Sequence, residues 1–229
     1  MSELPGYPPL SFRFKIIRFF VLLLLSPFRK KINGIENLPL GHPFIIAANH
    51  ASYVDGYIIH AYLSKIINSY IHFLTYRIFF KIPLIGLTLR VGKAIRVDMK
   101  EEAKSLFIVL QYLQNGEVIG IFPEGRRSET GKIQKGRPGV ALLALKAKVP
   151  VVPLGLVNTN NILPRGKFLP RLVTFEINIG KPLDFSQYYS DYDEAINQNN
   201  SEKMTEIEAK VVKSIMLEIA RLSKQEYPF

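Results

Sequence analysis

The sequence predicts a layered α/β domain: a mostly parallel or mixed sheet with flanking helices, preceded by an N-terminal helical segment. Three observations carry this. Short apolar runs that read as buried strands alternate with stretches of helical periodicity through the centre of the chain. The helical stretches between those runs are long enough for crossover connections, which parallel neighbours require. Ahead of all of them stands a run in which large apolar and basic residues are mixed.

That run is FRFKIIRFFVLLLLSPFRKK, residues 12–31. Its apolar part extends from Ile16 to Phe28, with Arg18 inside it. A transmembrane helix needs about 20 predominantly apolar residues; this stretch is shorter, and Pro27 ends or bends it. A cleaved signal would carry a small-residue site after the apolar part, whereas Pro27, Phe28 and three basic residues stand there. A helix packed on the domain stays open as an alternative. The favoured reading is a helix lying in a membrane interface, with Arg13, Lys15, Arg18, Arg29, Lys30 and Lys31 near anionic headgroups. Residues 1–31 are therefore parsed as an interface segment and 32–229 as the domain proper.

Residues 32–43 are polar and rich in turn formers. Phe44–Ala48 is an apolar run between Pro43 and Asn49 and reads as a buried strand. Residues 53–67 suit a helix, and 70–75 another strand. Residues 77–91 mix large apolar groups with Arg77, Lys81 and Arg90, and Pro83 and Gly86 interrupt any long helix there. A strand is expected over 94–97. Leu106, Val109, Leu110 and Leu113 give residues 101–114 a one-faced helix that Gly116 stops. Strands follow over 118–122, 149–157 and 172–179, with helices over 138–147 and 202–223.

Composition narrows the chemistry. The chain of 229 residues has 30 Lys and Arg against 19 Asp and Glu, a formal charge of +11. An apolar share of 48% excludes a disordered or low-complexity chain. The absence of cysteine excludes thiol nucleophiles, disulfides and cysteine-held metals. The basic surplus leaves nucleic acid, an anionic membrane or a phosphorylated substrate as partners. No recognised nucleic-acid module supports the first. His42, His60 and His72 show no metal-ligand pattern.

Four segments hold candidate chemistry. In Asn49-His50-Ala51-Ser52-Tyr53-Val54-Asp55, the carboxylate stands five residues after the imidazole, just beyond a strand. Such a spacing can place Asp55 against one ring nitrogen and leave the other for proton transfer. An ordinary capping or surface pair has the same spacing. Phe122-Pro123-Glu124-Gly125-Arg126-Arg127-Ser128 puts two arginines in a turn, where directed donors could meet a phosphate or simply face solvent. Gly92 to Asp98 places Lys93 and Arg96 at a strand. Pro150 and Pro153 lie in a predicted strand, where proline is confined to edges, starts and bulges. A Walker A loop is absent.

Taken together, these segments resemble the four blocks of the phospholipid and glycerol acyltransferase family, in particular its bacterial 1-acyl-sn-glycerol-3-phosphate acyltransferases. Asn49, His50 and Asp55 match NHxxxxD; Phe122 to Ser128 match FPEGTRS, with Arg126 in the threonine position. Gly92 to Asp98 match the glycine-led block, but Met99 replaces its usual arginine; Pro150 to Pro153 match the proline-rich block. The lead-in Asn33 to Pro39 is also similar. The resemblance implies a glycerolipid acyltransferase fold, with 32–229 as the catalytic domain. It implies that His50, held by Asp55, activates the hydroxyl of a lyso-phospholipid to attack an acyl-CoA or acyl carrier protein thioester. It assigns phosphate binding chiefly to Glu124, Gly125 and Arg127; Arg96 and Arg126 join the binding set as replacements for the arginine missing at Met99, and Ser128 as a residue that shapes the turn or touches substrate. Glu124, itself an anion, is expected to orient Arg127, a nearby backbone or a glycerol hydroxyl. The implied product is phosphatidate, with transfer to another lyso-lipid as the alternative. Neither a cofactor nor a metal is implied. The implied location is the cytoplasmic face of a bacterial membrane, peripheral or monotopic.

Overall fold

The structure, a computed structural model, describes residues 9–41, 43–98, 101–162, 171 and 173–229. Its strands are β1 (Arg29–Asn33), β2 (Ile45–Ala48), β3 (Ile71–Tyr76), β4 (Ile95–Val97), β5 (Val118–Ile121), β6 (Val151–Val157) and β7 (Phe175–Ile179). Its helices are α1 (Phe12–Leu25), α2 (Asp55–Leu63), α3 (Pro83–Val91), α4 (Glu102–Gln114), α5 (Gly139–Ala147), α6 (Tyr189–Asn197) and α7 (Ser201–Ser223).

One sheet contains all seven strands in the order β1-β7-β6-β2-β5-β3-β4. The run β6-β2-β5-β3-β4 is parallel throughout. β7 pairs antiparallel with β6, and β1 parallel with β7, so the sheet is mixed. Alternation along β2 shows how the layers form. Ile45 and Ala47 join a core with Val109 and Leu113 of α4, Leu143 of α5 and Ile215 of α7. Ile46 and Ala48 join a second core, on the other face, with Ile58 and Leu63 of α2 and Leu25 of α1. A strand buried on both faces is apolar at every position, which is why IIAA carries no polar residue. α7 lies directly on β6: a Cβ at Gly155 would stand 2.2 Å from the Leu222 carbonyl carbon.

The order of strands creates a topological switch point. From β2 the chain leaves through α2 toward β3, on one side; from β5 it leaves through α5 toward β6, on the other. β2 and β5 are neighbours, so the connections that follow them lead off toward opposite edges of the sheet. In open α/β sheets this switch point is where ligands bind.

Several elements differ from the sequence reading. β1 lies partly in the polar stretch 32–43 and spans the expected boundary at residue 31; its pairing partner is β7, about 145 residues away in the chain, a relation without local signature. α6 was not anticipated. The helix expected over 53–67 is the shorter α2, and residues 64–68 turn. Residues 77–91 divide into a 3-10 turn (Arg77–Lys81) and α3, with Pro83 at the first helical position, where its missing N–H costs nothing. Pro153 sits inside an interior strand, yet at a bulge. Pairing shifts by one residue between Leu154↔Ile179 and the Val151↔Leu183 bridge, and the absent donor falls in that gap.

Candidate active site

Asp55 is the first residue of α2 and is 0% exposed. Its Oδ2 accepts the backbone N–H groups of Ala51 and Ser52, each at 2.7 Å. The same oxygen takes the Nδ1–H of His50 at 2.9 Å. Five residues of loop thus wrap around one carboxylate oxygen. Nδ1 is committed to the carboxylate, which fixes the tautomer and leaves Nε2 as the nitrogen for proton transfer. The His50 side chain is 21% exposed, and its ring stacks on Phe122 with centroids 4.0 Å apart and planes 13° apart. Asn49 ties the loop to β6, donating to Leu156 O at 3.0 Å and accepting from Leu156 N at 2.7 Å.

The loop after β5 meets the loop after β2 directly. Glu124 Oε1 accepts the backbone N–H of His50 at 2.8 Å. Its Oε2 accepts from Gln134, by the backbone N–H at 2.9 Å and the side-chain amide at 3.1 Å. Burial pushes the Glu124 carboxyl up from its ordinary value of 4.5, more than those donors pull it down. Ser128 N–H donates to His50 O at 2.8 Å, and its hydroxyl donates to Lys132 O at 2.6 Å. Glu124 and Ser128 are therefore turned inward as braces. Glu124 thus orients the His50 backbone as well as Gln134.

Gly125 has φ of +71°, a conformation that a Cβ would strain. A Cβ there would also stand 2.7 Å from Arg137 Cδ, and the Gly125 carbonyl accepts the Tyr76 hydroxyl at 3.1 Å. Arg127 lies with its guanidinium carbon 3.4 Å from the centroid of the Tyr53 ring. Its Nη1 is buried with no hydrogen-bond partner among the described residues. Arg126 is exposed and donates from Nε to Gln134 Oε1 at 3.2 Å. Arg96 is on the edge strand β4, with its guanidinium over Phe80 at 4.9 Å.

Gln134, Tyr53, Arg137 and Tyr76 were missed as site residues. Tyr53 falls at an unspecified position of NHxxxxD, the other three lie in no motif, and Gln134 reaches Glu124 across ten residues of irregular loop. Met99 and His42 lie outside the described residues. His72 is buried, between Lys93 O at 2.8 Å and Glu117 Oε2 at 3.1 Å. Among the described residues no cluster of His, Asp or Glu could hold a metal ion, and no helix is long and apolar enough to cross a membrane.

Residues 29–157 match the sequence model of the family described as acyltransferase. The chain is 31% identical over 161 residues to a chloroplastic 1-acyl-sn-glycerol-3-phosphate acyltransferase of Brassica napus, covering 68% of this chain and 45% of that one. It is 28% identical over 155 residues to the 1-acyl-sn-glycerol-3-phosphate acyltransferase of Bacillus subtilis, covering 67% and 73%. The chain thus spans under half the length of the plant relative. The fold is that of the 1-acyl-sn-glycerophosphate acyltransferase of Thermotoga maritima, with a TM-score of 0.65, 24% identity and 94% of this chain covered. The family match spans over half of the chain and contains both loops that meet at His50: this protein belongs to the acyltransferase family.

Proposed function

We propose that the chain transfers a fatty acyl group from an acyl thioester, of coenzyme A or acyl carrier protein, to the sn-2 hydroxyl of 1-acyl-sn-glycerol-3-phosphate, giving phosphatidate. The observation that carries the reading is the His50–Asp55 contact of 2.9 Å, set at the switch point of the sheet. The names of the curated relatives support the acceptor.

His50 Nε2 takes the proton of the acceptor hydroxyl as its oxygen attacks the thioester carbonyl. Asp55 stabilises the imidazolium that forms. The tetrahedral intermediate collapses, the C–S bond breaks, and the thiolate leaves, taking the proton from His50 or from water. A positioned base of this kind contributes about 10²–10⁴-fold. Arg127, with its unpartnered Nη1, binds the acceptor phosphate, and Arg126 adds a second guanidinium at the same turn. Glu124, Gly125 and Ser128 act by shaping the loop that presents them. Arg96 contributes at longer range, through the basic field at the β4 edge. α1 lies in the interface of an anionic membrane, where the lipid acceptor resides.

An acceptor panel supplied with one radiolabelled acyl thioester tests this. Preferential labelling of lysophosphatidate is expected. Transfer only to another lyso-lipid would overturn the acceptor, and no transfer to any would overturn the activity.

A further inference from the structure

The positive charge of the chain is not spread over it. Residues 4–35 hold six basic and no acidic side chains, and residues 56–97 hold another six and again none. The remainder carries 18 basic against 19 acidic groups, so two segments account for the whole surplus of +11.

Exposed apolar side chains follow the same division. On α1, Phe12, Phe19, Phe20, Leu23 and Leu24 face solvent, on the side opposite the buried Phe14 and Leu25. In the second segment, Ile78, Leu84 and Leu87 do so, on the 3-10 turn and α3. Leu84 at 78% and Phe12 at 77% are the most exposed large apolar residues among those described. Arg77, Lys81 and Arg90 are exposed around α3. Apolar clusters on a soluble surface mark sites of contact. An apolar face with a basic rim and no carboxylate matches an anionic lipid surface: the apolar groups enter the acyl boundary and the cations meet the headgroups.

The two elements are packed together on their buried sides. Leu10 and Phe14, at the start of α1, form a cluster with Tyr70 against which Val91, the last residue of α3, packs. The 3-10 turn also reaches the site. Phe79 meets Tyr53 edge-on, with centroids 6.3 Å apart, and Tyr53 carries the Arg127 guanidinium.

We propose that the 3-10 turn Arg77–Lys81 and α3 form a second membrane-docking element, covered by the same anionic bilayer as α1. The mouth of the site beside Tyr53 and Arg127 then opens onto lipid. This extends the interface proposed above, where α1 alone meets the membrane.

Full-length protein is partitioned onto vesicles of phosphatidylglycerol and phosphatidylcholine. The triple variant Ile78→Ser, Leu84→Ser, Leu87→Ser is expected to bind about tenfold more weakly than wild type. Leu84→Glu, a single change at an exposed position, is expected to weaken binding in the same direction. Phe107→Ser, at an exposed apolar residue of α4 outside both segments, is expected to bind as wild type. Unchanged partition of the triple variant would overturn the proposal, as would an equal loss in Phe107→Ser. Loss of concentration-dependent self-association, with vesicle binding retained, would assign the face to a second copy of the chain instead. The readout is binding, not turnover, so a failure of the acyl-transfer reading leaves it intact.

Discussion

Glu124 Oε1 accepts the backbone N–H of His50 at 2.8 Å, joining loops that are 74 residues apart in the chain. The other carboxylate oxygen holds Gln134 by two donors. One buried side chain thus fixes the loop of the proposed base against the loop of the proposed phosphate ligand. Glu124→Ala leaves these donors unsatisfied in a closed site. A loss of about 2–3 kcal/mol of stability is expected in urea unfolding, together with a fall in kcat. Wild-type stability and turnover would show that the brace is dispensable.

Asp55→Asn keeps the size of the side chain but removes the charge that stabilises a protonated His50. A fall in kcat of about 10²–10⁴-fold is expected, with KM for the acceptor little changed, and a similar fall in folded His50→Ala. Near-normal turnover in His50→Ala would remove His50 as the base, and near-normal turnover in Asp55→Asn would remove the role of the Asp55 charge.

Tyr53 holds the plane of the Arg127 guanidinium. In Tyr53→Leu the arginine keeps its charge and loses its platform. KM for the acceptor is expected to rise about 3- to 10-fold while KM for the acyl donor stays unchanged, and Tyr53→Phe should restore the wild-type value. Equal changes for donor and acceptor would point to a general disturbance of the fold.

His60 is enclosed beside Phe14, with ring centroids 4.7 Å apart, and its Nε2 accepts the Ile71 N–H at 3.4 Å. Burial, helped by the charges of His72 and Arg18, lowers it from 6.5 to about 3. The folded protein therefore keeps His60 neutral where the unfolded chain would protonate it. This contribution is fully present above pH 6.5 and is lost as pH falls toward about 3. Well below 6.5 the loss approaches about 1.4 kcal/mol per pH unit. Urea unfolding at pH 7.5, 6 and 5 should show this extra slope in wild type and not in His60→Gln.

The parts legible in the sequence were those written locally. Helical periodicity at Leu106, Val109, Leu110 and Leu113 marked α4, and a doubly buried strand such as β2 announces itself as an uninterrupted apolar run. β1, RKKIN, has no such run, because only Ile32 and Asn33 are even partly buried in it. α6 was hidden for a similar reason: its only buried residues are Tyr192 and Ala195.

The sequence by itself determined the alternation of strands and helices, the concentration of charge in two segments, and the nearness of His50 and Asp55. Five residues of chain can close only one short loop, and the carboxylate needs no distant partner to be found there. Tertiary structure decided that β2 and β5 are neighbours with diverging connections, that Phe122 stacks on His50, and that Glu124 turns inward while Arg127 rests on Tyr53. Those relations depend on which strands pair across the sheet. Pairing is selected by the packing of both faces at once, a property of the folded chain as a whole and of no single stretch of its sequence.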